Sequence, residues 1–357
     1  MKKMRFNSVV LLVICTLVLS ACGGSNDSGS AEDAAETPAT TGETESPENF
    51  EKQTLQIGTT ITPIDGKHIQ WQTLEFLDEE INEATNGLID LELYPSGQLG
   101  NEREVLEGLT MGTFKIADPY SVMGTISDIF NVYDMPYLFE DFDHFVNVCR
   151  SDLAKEMGKT LEAHNIKYLG MGSASGPYQI SNNTREVKLP KDLNGLKIRA
   201  MDSPYILDSI NALGAQAIPM AWTEVYTGLQ QKTIDGVCTI NTGYWSAKLY
   251  EVQKYVSELD MFYSPTWIVA NLEWFNSLPV EIQEGIQKGV DAAMERHYVD
   301  CVEQDAALKE ELVRLGMTYT NKDEIDIQAF KEAIQPVYEK YQSRYGDVIE
   351  QIRAMAN

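Results

Sequence analysis

Two rhythms of hydrophobic positions alternate along this chain, one of period two and one near 3.6. Leu55-Gln56-Ile57 opens a strand. Between Lys67 and Ala84 the residues Ile69, Trp71, Leu74, Leu77 and Ile81 recur at near-helical spacing, which predicts a helix. Asn86-Gly87 stops it, and Ile89, Leu91 and Leu93 then alternate as a strand. Strand, helix and strand in that order make a βαβ unit, which implies a parallel sheet covered by helices. The pattern repeats: helix 101–112 leads to strand Phe114–Ala117, and helix 142–163 leads to strand Lys167–Met171.

A second series begins after Gly176. Strand Leu196–Arg199, helix 203–213, strand Ala217–Pro219, helix 222–232 and strand Gly236–Ile240 follow one another. Two successive α/β series predict two lobes with a cleft between them. Ligands in open α/β sheets sit beyond the carboxyl ends of strands, so residues there become candidates. Asp118 follows the strand Phe114–Ala117, and Asp65 and His68 stand at a loop–helix junction. These groups suit a ligand hydroxyl or amine; the plainer alternatives are a helix cap for Asp65 and a surface role for His68.

From Pro279 the apolar residues Ile282, Ile286, Val290, Ala293, Val302, Ala306 and Leu312 run to Gly316 without an internal proline. A continuous helix of that length would span roughly 55 Å at about 1.5 Å per residue. That exceeds one lobe, so the helix is expected to bridge both. Phe330, Ile334, Val337, Tyr338 and Tyr341 mark an amphipathic C-terminal helix.

The first thirty residues change the picture. Lys2, Lys3 and Arg5 precede an apolar run from Val9 to Leu19, and Leu19-Ser20-Ala21-Cys22 ends it. This is the layout of a secretory signal, too short to be a spanning helix. The small residues before Cys22 match a bacterial lipobox, so Cys22 is expected to carry lipid and tether the chain to a membrane without crossing it. The expected location is extracytoplasmic, at the cell surface or in the periplasm. Residues 23–52 are mostly Gly, Ser, Thr, Ala, Pro and Glu with almost no apolar content until Phe50, a composition expected to remain a disordered acidic tether.

Formal net charge is −26 over 357 residues, and removal of the basic head makes it more negative still. Such a chain repels nucleic acid, which is excluded as a partner. Cys149, Cys238 and Cys301 are widely spaced, giving neither a disulfide framework nor a metal motif; buried free thiols are expected. Gly-x-Ser-x-Gly and His-Glu-x-x-His are absent from the sequence, and Gly170–Gly176 departs from Gly-x-Gly-x-x-Gly and reads as a turn at a lobe crossover. No enzyme activity, cofactor or metal is expected.

At Tyr94-Pro95-Ser96-Gly97-Gln98-Leu99-Gly100 the chain resembles the solute-binding proteins of tripartite ATP-independent periplasmic (TRAP) transporters, the C4-dicarboxylate-binding (DctP-type) family. Leu193–Arg199, Pro219–Tyr226, Gly228-Leu229-Gln230, Asp235-Gly236 and Tyr250–Tyr255 extend the resemblance in order. It implies an α/β, two-lobed periplasmic-binding-protein fold, the lobes joined by crossing strands and a long bridging helix. We divide the body accordingly into 53–175 plus 264–304 for lobe I and 176–263 plus 305–357 for lobe II. The resemblance also implies a role: a monomer that captures a small organic acid and hands it to TRAP permease membrane subunits. The alternative is a ligand-presenting partner of a membrane-bound receptor kinase.

The resemblance places the family's carboxylate-clamping arginine at Arg199 and a pocket aromatic at Trp222. An arginine suits that task because its planar fork meets both carboxylate oxygens, where lysine offers a point charge. Trp222 is also a candidate core residue. Two departures bear on the ligand. Tyr178 stands where many relatives have a second arginine, and Thr239 replaces an amide. With Tyr178, Trp222, Tyr244, Trp245 and Trp267 near one another in the family pattern, the pocket is expected to be aromatic and weakly cationic. Each of these aromatics is equally a core candidate. The expected ligand is a monocarboxylate whose other end is apolar, aromatic or hydroxylated.

Overall fold

A computed structural model describes residues 50–63 and 68–356. The signal segment, Cys22, most of the tether and Asp65 lie outside the described residues. The first series comprises β1 (Gln53–Gly58), α1 (Ile69–Ala84), β2 (Ile89–Tyr94), α2 (Glu102–Thr110) and β3 (Ile116–Ala117). It continues with α3 (Phe142–Arg150), α4 (Asp152–Lys159) and β4 (Ile166–Ser173). The second comprises β5 (Gln179–Asn182), β6 (Lys197–Ala200), α5 (Pro204–Ala212), β7 (Gln216–Pro219) and α6 (Val225–Gln230). Next come β8 (Gly236–Thr239), α7 (Asn241–Ser246), β9 (Tyr255–Ser257), β10 (Pro265–Asn271) and α8 (Leu272–Ser277). The chain closes with α9 (Val280–Arg314), β11 (Thr318–Thr320), α10 (Ile327–Ala333) and α11 (Gln335–Arg353).

The single helix expected over 142–163 is broken at Ser151, whose extended backbone ends α3 while its hydroxyl accepts the Ala154 N–H to start α4. The helix expected over 222–232 begins as a tighter 3-10 turn at Trp222–Glu224 and becomes α-helical only at Val225.

β1 and β2 pair in parallel, as a βαβ unit requires. Of the larger sheets the three-stranded one is antiparallel and the six-stranded one mixed, where the local pattern predicted parallel ones. β10 lies between β3 and β4, antiparallel to both, and in the order β11-β9-β5-β8-β6-β7 the strand β5 runs antiparallel to β8 and β9. The cause is the connection between lobes. The chain leaves the first lobe along β4, enters the second as β5, leaves along β9 and returns as β10. The two crossing segments bond to each other: Ala174 N–H to Ser264 O at 2.8 Å, Tyr178 N–H to Phe262 O at 2.9 Å, and Met261 N–H to Tyr178 O at 3.2 Å.

Helix α9 has the length read from its pattern, 35 residues. It packs on α1 and β4 and, further along, on α7 of the second lobe. Gly170 and Gly172 belong to β4, so the bend expected over 170–176 is confined to 174–176, where the chain crosses between lobes. A Cβ on Gly172 would lie 2.7 Å from the His297 ring of α9, which explains why a side chain is missing there. His297 bonds the Ser173 N–H at 2.9 Å and the Thr73 hydroxyl at 2.8 Å, tying α9 to β4 and α1. At the other end of the chain, Tyr338 donates to Pro136 O at 2.8 Å, and α11 packs on α5. Cys149, Cys238 and Cys301 are buried free thiols. Among the described residues no helix is long and apolar enough to cross a membrane.

The closest approach of α1 and α9 generates a prediction. A Cβ on Gly289 would sit 2.6 Å from Ile81 Cα and 2.7 Å from Ile81 N, backbone atoms that cannot rotate aside. Helix propensity favours Gly→Ala by about 1 kcal/mol, but overpacking costs about 1–3 kcal/mol, and here the clash should dominate. Gly289→Ala is expected to lower Tm by a few degrees, whereas Gly346→Ala on α11, with open space at its Cβ, should hold or raise it. Thermal denaturation of the two variants checks this.

Candidate functional site

Strand β1 ends at Gly58, β3 at Ala117, β6 at Ala200 and β8 at Thr239, and the residues just at or beyond these ends converge on one cavity of about 180 Å³. Thr59, Thr60, His68, Glu102, Asp118 and Tyr120 line it from the first lobe. Arg199, Met201, Trp222, Thr239 and Gly243 line it from the second, with Tyr178 on the crossing strand. An apolar cavity of about 150 Å³ accommodates a benzene, so this one suits a ligand of roughly six to ten heavy atoms.

Arg199 is the only arginine or lysine among the described residues that line the cavity. It is 5% exposed. Its Nε donates to Met220 O at 3.0 Å, and its guanidinium stands 5.3 Å from the Trp222 ring centroid, a cation–π arrangement. Among the described residues no carboxylate lies within ion-pair distance of it. Burial accordingly pushes its pKa down from the ordinary arginine value. Trp222 remains 37% exposed, with room made by Gly243, whose added Cβ would come within 3.1 Å of the indole.

The facing wall is acidic. Both Asp118 oxygens lie 2.6 Å from the Thr266 hydroxyl, and Oδ1 also accepts the N–H groups of Tyr120 at 3.1 Å and Trp267 at 3.3 Å. Burial raises the Asp118 pKa, and these hydrogen bonds work against the rise. Glu102 begins α2 and accepts the Thr60 hydroxyl at 2.6 Å. His68 caps α1, its Nδ1 accepting the Gln70 N–H at 3.3 Å. Burial lowers its pKa to about 4, so near neutral pH the ring is uncharged with its proton on Nε2. The Tyr120 and Tyr178 hydroxyls stand 3.5 Å apart, and burial raises both pKa values.

The residues from 63 to 344 match the model of the bacterial extracellular solute-binding proteins, family 7. The chain belongs to this family, the solute-binding proteins of TRAP transporters. It is 32% identical over 243 residues to the 2,3-diketo-L-gulonate-binding periplasmic protein of Escherichia coli, covering 68% of this chain and 73% of that one. To the C4-dicarboxylate-binding periplasmic protein of Rhodobacter capsulatus it is 28% identical, covering 75% and 80%. A crystal structure of a TRAP periplasmic solute-binding protein from Bordetella, with density assigned to pantoate, superposes with a TM-score of 0.77 at 28% identity. That match covers 86% of this chain and all of that one.

In this TRAP solute-binding protein the structure brings Arg199, Trp222, Tyr178, Thr239 and Asp118 to one cavity, as nominated from sequence. Trp267 is a correction. Its side chain lies among Phe130, Tyr133 and Tyr168, with ring centroids 4.9, 5.5 and 6.4 Å away, and it fills the core instead of the cavity. Every residue of β10 is buried, so its side chains face packed protein on both sides. Tyr244 is likewise core, donating to Gln179 O at 3.0 Å. Glu102, Tyr120 and Met201 were not nominated. Glu102 was within reach of the same rule that found Asp118, because it starts a helix just after β2 ends.

The lowered His68 pKa sets a sign. Below about pH 6.5 the unfolded chain takes up a proton that native His68 refuses until about pH 4, so stability is lost as pH falls through that window. Compared with His68→Gln, the unsubstituted protein should lose Tm steadily between pH 6.5 and 4. Parallel melting curves across that range measure the difference.

Proposed function

We propose that this protein captures a small monocarboxylate at Arg199, without chemistry on it, and delivers it to the membrane subunits of a TRAP permease. The observation carrying this reading is a buried guanidinium with no carboxylate partner among the described residues, at a strand end inside a cavity of ligand size. Leaving such a charge unpaired costs several kcal/mol, and an incoming carboxylate offsets that cost. Tyr178 in place of a second cation, and an acidic facing wall, argue for one carboxylate instead of two. The names of two relatives agree: 2,3-diketo-L-gulonate and pantoate each carry a single carboxylate.

A hydrogen bond to a charged group contributes about 1.5–3 kcal/mol, whereas micromolar affinity requires about 8 kcal/mol. Trp222 stacked on the ligand skeleton, Thr239 and Tyr178 supply the remaining contacts in this reading. The lobes, taken as 53–175 plus 264–304 and 176–263 plus 305–357, close about the crossing strands, and the protein acts as a monomer with no cofactor.

A thermal-shift screen of the purified protein against organic acids, sugars and amines tests the reading, because a ligand specific for the folded state raises Tm by mass action. Monocarboxylate hits are expected, with affinity lost at least a hundred-fold in Arg199→Ala and the fold retained. Hits confined to uncharged or cationic compounds, or unchanged affinity in the variant by calorimetry, refute it.

The lobe-bearing body is held at a bacterial membrane by lipid on Cys22, with residues 23–52 as its tether. The motif Leu19-Ser20-Ala21-Cys22 supports this. Cys22→Ser should move the protein from the membrane fraction to the soluble fraction of producing cells; an unchanged distribution on immunoblots counts against the anchor.

A further inference from the structure

A second cavity, of about 250 Å³, lies between residues 137–144 and helices α10 and α11, and shares no lining residue with the cavity at Arg199. Leu138, His144, Ile334 and Tyr338 are its buried walls, and Lys331 and Arg353 bring two cations to it. The buried polar groups are already committed. His144 Nδ1 accepts the Glu140 N–H at 3.1 Å and its Nε2–H donates to Ile352 O at 2.7 Å, while the Tyr338 hydroxyl donates to Pro136 O at 2.8 Å. The histidine is therefore wall and not ligand.

The two cations are exceptions in this chain. Acidic residues outnumber basic ones 54 to 28, and neighbouring cations of α11 take carboxylate partners: Lys340 stands 2.5 Å from Asp208 and Arg344 3.7 Å from Asp128. Among the described residues no carboxylate lies within ion-pair distance of Lys331 or Arg353. Each stands over an aromatic ring instead, Lys331 5.9 Å from the Tyr137 centroid and Arg353 4.5 Å from that of Tyr338. A ring face steadies a cation without neutralising it, so N–H donors remain for an anion. Tyr137 takes its place under strain, with φ at 53°, a left-handed conformation uncommon for a bulky residue. Its N–H donates to Met261 O at 2.8 Å, but its hydroxyl is buried without a partner among the described residues, so hydroxyl bonding does not account for the strain. The conformation sets a ring beneath Lys331 at the cavity wall.

We propose that this cavity is a second binding site, for a small oxyanion of the phosphate, sulfate or carboxylate kind, held by Lys331 and Arg353. The planar fork of an arginine meets two oxygens and a lysine ammonium a third. Glu140 on the same lining opposes one of the two cations, so the site keeps a net positive charge and its affinity is tempered. In the lobe division proposed above, residues 137–144 belong to lobe I and α10 and α11 to lobe II. A bound anion would then hold the lobes together at a point separate from the ligand cavity. The inference does not depend on the Arg199 reading.

Calorimetry with inorganic phosphate, sulfate and citrate, against NaCl at matched ionic strength, tests it. The proteins are the unsubstituted chain, the double variant Lys331→Gln/Arg353→Gln, Glu140→Gln and Arg199→Ala. Such salts raise the Tm of most proteins by exclusion from the surface, so binding heat is the readout and melting curves serve only to check folding. At least one of the three anions is expected to bind saturably. That binding should weaken about ten-fold or more in the double variant, tighten about three-fold in Glu140→Gln, and persist in Arg199→Ala. Should the double variant not fold, the change in Glu140→Gln decides. No saturable binding by any of the three, binding unmoved in the folded double variant, or binding lost only in Arg199→Ala overturns the inference.

Discussion

The crossing ladder between residues 174–178 and 261–264 is the constraint on which the rest of this molecule depends. Two strands leave one sheet and enter another while remaining bonded to each other, so neither lobe can be built without fixing its neighbour's edge. The antiparallel sense of β5 and β10 follows from it. So does the convergence of strand ends on one cavity, because sheets joined by a short double connection present their open ends to a common cleft. Tyr178 lies both within the ladder and on the cavity wall.

Helix α9 acts as a brace behind this connection. It touches α1, β4 and α7, and its approach is close enough that glycines stand at the contacts: Gly172 beneath His297, Gly176 beneath Asp305, and Gly289 against Ile81. Burial raises the Asp305 pKa to about 7, and its carboxylate accepts from Asn241 at 3.1 Å, so α9 meets the second lobe through polar contact. Against the first lobe the contact is mostly apolar, through Ile282, Ile286, Val290 and Ala293.

Electrostatically the cavity is an exception within its own chain. A net charge of −26 disfavours an approaching anion on average, yet a buried arginine without a counter-ion makes one local point favourable. In the proposed reading, capture of an acid by so acidic a protein is a short-range matter, governed by Arg199 and the Trp222 face.

Sequence periodicity determined the elements, because helix and strand spacing are local properties. The 35-residue helix, the two α/β series and most strand positions were legible that way; strand-end reasoning reached Asp118, and the family resemblance reached Arg199. Pairing sense was not legible, since parallel or antiparallel neighbours are chosen by chain connection over tens of residues. Trp267 shows a second limit: in a strand buried on both faces, alternation carries no information about which side meets the ligand, and only packing against Phe130 and Tyr133 decides it. Glu102 shows a third, because a carboxylate at a helix start has the same sequence signature whether it serves the helix or a cavity. The residue types that line the cavity were written in the chain; which of them share a wall was decided by the tertiary structure, because that depends on two lobes meeting across a cleft.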